Sequence, residues 1–312
     1  MREHRLGTVE RACDGRVTCD NHARLGYTRL TRGVYGLAIA RDEPSGRDAR
    51  RRAWWAFVQG VMTAYRGHDA ILCGPSALQA LGVALPAHLE DWDTCHIMVT
   101  KAHCPRRPHV VPHRMAAPSV WRRVAGVPVV HPVDAWVQLR DATDDELVVV
   151  GDGLLRRKAP LLSAEALKAR LDVLAGTHGI TQARRTVDRL VPGTDSPAET
   201  RTRLLLVRAG LPCPAVNLAV RCPLSGWTYH LDMAYEAERV GVEYDGADHV
   251  GATRQMEVDA RRRRDLQDEG WLIINVTAAQ LREPASLIAS VERALVFRST
   301  PRGYGQLFTY RT

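Results

Sequence analysis

Two neighbouring segments in the last third of the chain alternate apolar with polar residues, the pattern of β-strands that bury one face. They run over residues 228–235 and 239–245, and the short polar turn Glu236-Ala-Glu238 separates them. This arrangement predicts a β-hairpin. A symmetric turn with Ala237 and Glu238 at its tip places Asp232 directly opposite Glu243. A register slip of one residue would instead move Asp232 to the other face.

The segments that flank the hairpin also have distinct helix and strand patterns. A helix is predicted after Ser196, whose hydroxyl suits a capping position, with Pro197 in its first turn. A strongly charged helix is expected before Gly270, and residues 278–281 are expected to form a short turn. The order is helix, strand, strand, strand, helix, strand, helix, with the remaining elements over residues 215–222, 253–268, 271–276 and 284–297.

The middle of the chain alternates helical periodicity with short apolar runs. One helix is expected at residues 75–82, capped by Ser76 and closed by Gly82. Further helices are predicted over residues 53–65, 132–139, 146–155, 164–174 and 181–190, and strands over residues 96–100, 110–114 and 127–131. The Pro- and Gly-containing segment Val191-Pro-Gly-Thr-Asp-Ser-Pro197 is the best linker in the chain.

The first residues suggest a small helix–helix–wing unit. A short helix candidate begins near residue 8, and Gly33-Val-Tyr35 would be the closing strand. Between Gly26 and Arg29 there is no room for a full DNA-recognition helix, so a structural role stands beside DNA reading. Three domains are therefore predicted, over residues 1–45, 46–192 and 193–312.

Composition indicates a protein with substantial hydrophobic cores. Hydrophobic residues make up 45% of the 312 residues and charged residues 25%. No apolar run approaches the length of a membrane span, and a cytoplasmic location is expected. The net charge of +8 permits a polyanionic partner. However, nearly all of the basic residues are arginines, so the charge also reflects a compositional bias.

The hairpin concentrates acidic residues that suit a metal ion. Glu243 and Asp245 share one face of their strand, and Val240 and Val242 occupy the other. Like charges opposite each other, such as Asp232 and Glu243, destabilise a sheet unless a cation compensates them. Carboxylate oxygens favour a hard divalent ion, Mg²⁺ or Mn²⁺. The alternative is a set of solvated acids near a turn.

The order of elements and the acid positions resemble the PD-(D/E)XK nuclease superfamily. Within it, the last third is similar to restriction-endonuclease-like domains related to very-short-patch repair endonucleases. The matching elements are Ser196-Pro-Ala-Glu199, His230-Leu-Asp232, Val242-Glu-Tyr-Asp-Gly246, His249, the helix with Asp259 and Arg263, and Gly270-Trp271. The resemblance implies an α/β fold with a mixed-sheet C-terminal domain.

The preceding region resembles AbiEi antitoxin-like proteins. The combination of the two regions resembles uncharacterised proteins of an actinobacterial type. The elements that carry this resemblance are Ser76-Ala-Leu-Gln-Ala-Leu-Gly82, His113-Arg114 and Gly151-Asp-Gly-Leu154, together with the winged-helix-like start. The resemblance implies an α+β N-terminal region.

The nuclease resemblance implies roles for particular residues. Asp232 and Glu243 would be metal ligands for Mg²⁺ or Mn²⁺, and Glu199 would be a further acid. The superfamily usually has Lys two residues after the second acid, but here that position is Asp245, which could be a third ligand. His249 is then the nearest candidate for a general base or phosphate contact.

The charged helix offers arginines for a nucleic acid. Arg254, Arg261, Arg263 and Arg264 are candidates for contacts to DNA phosphates. Four consecutive arginines, at residues 261–264, cannot share one helical face, so about two would point toward DNA. A solvated charge run is the alternative.

Two functions follow from these features. The first is a metal-dependent DNA endonuclease or nickase, a hydrolase of phosphodiester bonds. The second is a non-catalytic DNA-binding regulator of the type IV antitoxin kind, in which the nuclease-like domain is inactive. The expected partners are DNA and a cognate toxin-like protein, with no membrane and no small-molecule cofactor.

Overall fold

The computed structural model describes residues 9–11, 27–31, 34–37, 46–100, 106–114, 121–245 and 253–300. These residues form two compact units. One unit contains the described residues up to Leu154 together with Glu165–Asp188, and the other contains Leu155–Ala164 and the described residues from Arg189 onward. The protein is therefore α/β, and each unit has a mixed sheet.

Three short antiparallel strands begin the first unit. Strands β1 (Val9–Arg11), β2 (Tyr27–Thr31) and β3 (Val34–Leu37) form a sheet in the order β1-β3-β2. The prediction of a helix near residue 8 is wrong, because Val9–Arg11 pairs with β3. A segment this short gains ladder hydrogen bonds from a neighbouring strand, whereas one helical turn would leave its N–H groups unpaired. The closing strand expected at Gly33-Val-Tyr35 is confirmed for Val34 and Tyr35, which lie in β3, whereas residues 12–26 of the expected helix–helix–wing unit lie outside the described residues.

The larger sheet of the first unit has the strand order β6-β5-β4-β8-β7. The pairs β5/β6 and β4/β8 are parallel, and the pairs β4/β5 and β7/β8 are antiparallel. The strands are β4 (Ile71–Leu72), β5 (Cys95–Val99), β6 (Val110–Arg114), β7 (Arg122–Val124) and β8 (Val127–Val129). The helices are α1 (Arg47–Ala64), α2 (Gly74–Ala80), α3 (Pro132–Val137), α4 (Asp144–Leu154), α5 (Ala164–Val173) and α6 (Ile180–Thr186).

The expected cap of α2 is wrong. The helix starts after Cys73, and Ser76 lies inside it. The Ser76 hydroxyl is buried and accepts a hydrogen bond of 2.8 Å from the backbone N–H of His96. Ser76 therefore ties the helix to β5 instead of capping the helix itself.

The second unit has a four-stranded sheet in the order β12-β11-β10-β9. Only β11 and β12 are parallel among these strands. The strands are β9 (Ala215–Cys222), β10 (Trp227–Tyr235), β11 (Val240–Tyr244) and β12 (Leu272–Val276). The helices are α7 (Pro197–Arg208), α8 (Thr253–Asp268), α9 (Ala278–Arg282) and α10 (Ala285–Ser299). The predicted order is confirmed, except that the expected turn at 278–281 is the helix α9.

Local capping signals explain the starts of two helices in this unit. The Ser196 hydroxyl accepts a hydrogen bond of 3.2 Å from the Glu199 N–H, as a capping residue should. Thr277 and Gln280 form a reciprocal capping box at the start of α9. That capping box satisfies N–H groups at the start of α9. The short length of this segment alone suggests a turn.

Both faces of the four-stranded sheet are covered by helices. On one face, α7 and α10 contribute Leu206, Leu287 and Val291 to a core with Val240 and Val242. On the other, Leu266 of α8 packs with Leu231, Ala234 and Trp271. Gly241 lies close to this second layer, since an added Cβ would be 2.7 Å from Ile273 Cδ1. The hairpin therefore lies between two apolar layers.

The segment before α7 is attached to residues 155–158. Gly193 N–H donates to the Leu155 carbonyl at 3.0 Å, and the Arg157 side chain pairs with the Asp195 carboxylate. The compact units divide at Asp188–Arg189, four residues before the domain boundary expected at residue 193. In the part of the chain that the structure describes, no helix has both the length and the apolar character needed to cross a membrane.

Candidate functional site

The hairpin has the register that its short turn predicts. Met233 pairs with Val242, Ala234 with Gly241 and Tyr235 with Val240. The next residues outward from the turn are Asp232 and Glu243, which brings the two carboxylates to neighbouring strands. The predicted register is confirmed over these three pairs.

The ladder between β9 and β10 has a gap at Asp232. The pairing of β9 with β10 runs through Leu231↔Leu218 and resumes at Met233↔Val216, and Asn217 between them has φ 48°. Asp232 Oδ2 accepts a hydrogen bond of 2.9 Å from the Tyr244 N–H. The Asp232 carboxylate is therefore held against the backbone of β11, one residue beyond Glu243.

A bidentate ion pair joins Glu243 to helix α8. Arg262 Nη1 donates to Glu243 Oε2 at 2.6 Å, and Arg262 Nη2 donates to Glu243 Oε1. Nη2 also donates to the His230 carbonyl at 3.0 Å, and the guanidinium carbon lies 5.9 Å from the centre of the Tyr229 ring. The Glu243 side chain is 14% exposed and that of Arg262 is 30% exposed. This geometry is the fork-to-fork arrangement in which charged hydrogen bonds are strongest.

Arg262 is the functional candidate that the sequence analysis missed. Arg261, Arg263 and Arg264 are exposed, whereas Arg262 is partly buried on the side of α8 that contacts β11. The usable signal was Leu266, which is buried against the sheet one helical turn after Arg262. Residues four apart share a helix face, so the apolar anchor of α8 identifies the arginine that points toward the acids.

A polar cavity of about 510 Å³ opens beside this ion pair. Its polar lining comes from β10, β11, β12 and α8. These residues are Asp232, Glu243, Asp245, Asp259, Arg262, Arg263, Gln267 and Asn275. Asp245 is exposed at the end of β11, where its N–H donates to the Val276 carbonyl at 2.8 Å. Three of the predicted acids, Asp232, Glu243 and Asp245, therefore line one cavity.

Glu199 is deeply buried and is close enough to Asp232 for the two charges to interact. Its side chain accepts a hydrogen bond of 2.9 Å from the Asp195 N–H, and the residue is 5% exposed. Burial raises the pKa of Glu199, and the negative charge of Asp232 raises it further. Glu199 is not among the described residues that line the cavity. It interacts electrostatically with Asp232 while its hydrogen bond closes the turn before α7.

The environment also shifts the pKa of the central acid. Burial raises the pKa of Asp232, and the neighbouring Glu243 charge adds to this, while the Tyr244 N–H and Arg262 act in the opposite direction. The hydrogen bonds to Glu243 raise the pKa of Arg262. The Arg262 guanidinium is therefore a permanent cation. It lies beside Glu243 and Asp232, whose negative charges repel each other.

The other predicted site residues fall in two groups. Arg261, Arg263 and Arg264 lie exposed on α8, and of these Arg263 lines the cavity. Arg254 belongs to α8, but its side chain is outside the described part of the chain, as is the whole of His249. The proposed role of His249 stays a prediction.

The donor chemistry of the cavity suits a hard divalent ion. Carboxylate oxygens of Asp232, Glu243 and Asp245 are the ligands that Mg²⁺ and Mn²⁺ prefer. In the described ranges, no group of three or more His, Cys, Asp or Glu side chains is arranged to hold a metal ion. Both Glu243 oxygens face the Arg262 guanidinium instead. The positive charge that the sequence analysis expected beside these acids is supplied here by an arginine.

Comparisons with known proteins find similarity to part of the chain. No known family model matches it. Two uncharacterized proteins of Mycobacterium tuberculosis, MT2308 of strain CDC 1551 / Oshkosh and Rv2248 of strain ATCC 25618 / H37Rv, are each 28% identical over 121 residues, which is 38% of this chain and 44% of theirs. The chain thus matches less than half the length of these curated relatives.

One solved structure is also similar. The crystal structure of the RV2827C protein from Mycobacterium tuberculosis has a TM-score of 0.40 and 15% identity, over 71% of this chain and 86% of that one. Similarity of this degree does not identify a function.

Proposed function

We propose that this protein is a metal-dependent DNA endonuclease or nickase, with a restriction-endonuclease-like second unit of the PD-(D/E)XK type. The observation that carries the proposal is the position of Asp232 and Glu243, which line one polar cavity from neighbouring strands. The order of α7, β9, β10, β11, α8 and β12 supports the same reading, since it matches the order expected for such domains.

The residues of the cavity suit the hydrolysis of a phosphodiester. Asp232 and Glu243 would hold Mg²⁺ or Mn²⁺, with Asp245 as an additional oxygen donor. The bound ion would acidify a water and offset charge that develops on the phosphate. Arg263 lines the cavity, and Arg261 and Arg264 are exposed on the same helix, so all three are available for phosphate contacts.

A second function is favoured by the ion pair of Glu243 with Arg262. A carboxylate whose two oxygens already accept from a guanidinium is poorly available to a metal ion, and Asp245 stands where the superfamily usually has lysine. These features fit a non-catalytic DNA-binding regulator of the type IV antitoxin kind. In that reading, the AbiEi-like residues 46–192 would contact a toxin-like protein.

The decisive test is a plasmid nicking and cleavage assay with Mg²⁺ or Mn²⁺. The wild-type protein, Glu243→Ala and Asp232→Asn are compared with Glu236→Ala, which removes an exposed acid from the turn of the same hairpin. Cutting by the wild type and by Glu236→Ala, but by neither site variant, is the expected result. Intact DNA binding without cutting in any variant would favour the regulator. Cutting that persists in both site variants would exclude this cavity as the active site.

A further inference from the structure

The acids around Arg262 form a site that already contains a cation. Glu243 accepts from both terminal nitrogens of Arg262, and the charges of Asp232 and Asp259 also act on the guanidinium. The Tyr229 ring and the His230 carbonyl hold the guanidinium from the β10 side. Arg262 thus supplies the positive charge that clustered carboxylates on adjacent strands require.

In this geometry the guanidinium opposes the binding of a divalent ion to Glu243. The two N–H groups of Arg262 point at the two carboxylate oxygens that would coordinate a metal. A metal ion bound to these oxygens would lie next to the positive charge of Arg262, and the two cations would repel each other. Occupation of Glu243 by one cation therefore opposes occupation by the other.

The side chain of Arg262 has space into which it can move away from Glu243. It is 30% exposed, and the polar cavity beside it is about 510 Å³ in volume. Arg263 lines the same cavity, so a phosphate that entered would meet basic groups there. Guanidinium groups bind phosphate oxygens in the same bidentate manner as carboxylates. The released Arg262 would therefore find an alternative partner in a phosphodiester.

We propose that Arg262 is an internal competitor for the metal position, which keeps Glu243 closed to divalent ions until the guanidinium moves away. The inference rests on the proposed function, because it assigns a regulatory role within the same carboxylate site. It makes the acid cluster a two-state element, paired either with arginine or with a metal ion. The competition sets how tightly the site binds a divalent ion.

The test is direct titration of the whole protein with Mn²⁺ by isothermal calorimetry, without DNA. The variants are Arg262→Gln, Arg262→Lys and the double variant Arg262→Gln/Glu243→Gln. Arg298→Gln is the matched control, since it removes an exposed arginine of α10, which covers the opposite face of the sheet from α8. Arg262→Met, which retains an apolar stem beside Tyr229, replaces Arg262→Gln if circular dichroism shows the latter to be unfolded.

The expected result is Mn²⁺ binding that is at least about tenfold tighter in Arg262→Gln than in the wild type. Arg298→Gln should stay within about threefold of the wild type, Arg262→Lys should bind less tightly than Arg262→Gln, and the double variant should lose the gain. Equal, measurable affinity in the wild type and Arg262→Gln would overturn the competition and leave the metal site in place. No binding in any folded variant would overturn both the competition and the proposed nuclease.

Discussion

Arg262 of helix α8 and Glu243 of strand β11 form a partly buried bidentate ion pair, with 2.6 Å between Arg262 Nη1 and Glu243 Oε2. This contact offsets the repulsion that the hairpin register creates between Glu243 and Asp232. It also makes helix α8 part of the carboxylate site and not only a neighbouring basic surface. The stability and the metal affinity of the site should therefore depend on the same arginine.

Removal of Glu243 should destabilise the metal-free protein. In Glu243→Ala the guanidinium of Arg262 loses its principal partner while it remains partly buried, so we expect a loss of about 1–3 kcal/mol in the free energy of unfolding. Urea denaturation at pH 7 without metal measures this. Glu236→Ala, at an exposed acid, should stay within about 0.5 kcal/mol of the wild type. Equal stability of the two variants would show that the ion pair contributes nothing to the fold.

Asp232→Asn should leave the metal-free protein as stable as the wild type, or more stable by up to about 1 kcal/mol at pH 7. Asparagine keeps an oxygen that can accept from the Tyr244 N–H, and it removes a charge that burial and Glu243 disfavour. Thermal unfolding in the presence of a chelator measures the change. A clear loss of stability would contradict the repulsion inferred between the two strands.

The pH dependence of this effect has a definite sign. Because the pKa of Asp232 is raised in the folded protein, the folded state binds a proton between the ordinary and the raised pKa. Stability from this group therefore falls as pH rises through that interval. The advantage of Asp232→Asn should be present at pH 7, shrink as pH falls through the raised pKa and be lost below the ordinary aspartate value. An advantage that instead grows at low pH would refute the shift.

Glu199 should respond to substitution according to whether its acceptor oxygen is kept. Glu199→Gln retains an acceptor for the Asp195 N–H and removes a charge whose pKa burial raises, so its unfolding free energy at pH 7 should equal or exceed that of the wild type. Glu199→Ala loses the acceptor and should cost about 1–3 kcal/mol. Chemical denaturation of both variants provides the comparison. Equal effects of Glu199→Gln and Glu199→Ala would mean that the hydrogen bond from the Asp195 N–H does not contribute to stability.

Gly241→Ala should overpack the layer between the sheet and α8. The added methyl group would lie 2.7 Å from Ile273 Cδ1 and 3.2 Å from Leu231 Cδ1, which are ends of flexible side chains, so we expect a cost of at most about 1 kcal/mol. The double variant Gly241→Ala/Ile273→Val removes the closest atom and should recover part of the loss. Gly67→Ala is the control, since nothing lies within 4 Å of its added Cβ. If the double variant recovers no stability, the cost of Gly241→Ala arises from the backbone and not from contact with Ile273.

Arg263 should contribute to DNA affinity through phosphate contact. Arg263→Gln should weaken binding to duplex DNA about equally for different sequences and reduce the slope of log affinity against log salt by about 1. Fluorescence anisotropy over a salt series measures both quantities. Arg298→Gln removes an exposed arginine from α10, which covers the opposite face of the sheet from α8, and should leave the slope unchanged. The same loss in both variants would indicate a general charge effect.

Most of the second unit follows from local signals in the sequence. The alternation in β10 and β11, with a turn of few residues, determines the register that pairs Met233 with Val242. Ser196 and Pro197 start α7 because capping and proline geometry act within one turn. The errors, at Val9–Arg11, Ser76 and α9, arise where a short segment is stabilised by a partner or by a cap that periodicity does not reveal.

The sequence by itself determined which residues are acidic neighbours on the hairpin, because strand alternation and turn length are short-range properties. Only the tertiary structure decided which arginine meets them. Residues 261–264 are chemically alike, and the packing of Leu266 against the sheet fixes the rotation of α8 that directs Arg262 toward Glu243. The burial of Glu199 near Asp232 likewise depends on how α7 packs on the sheet. These contacts join residues far apart in the chain, so no local pattern encodes them.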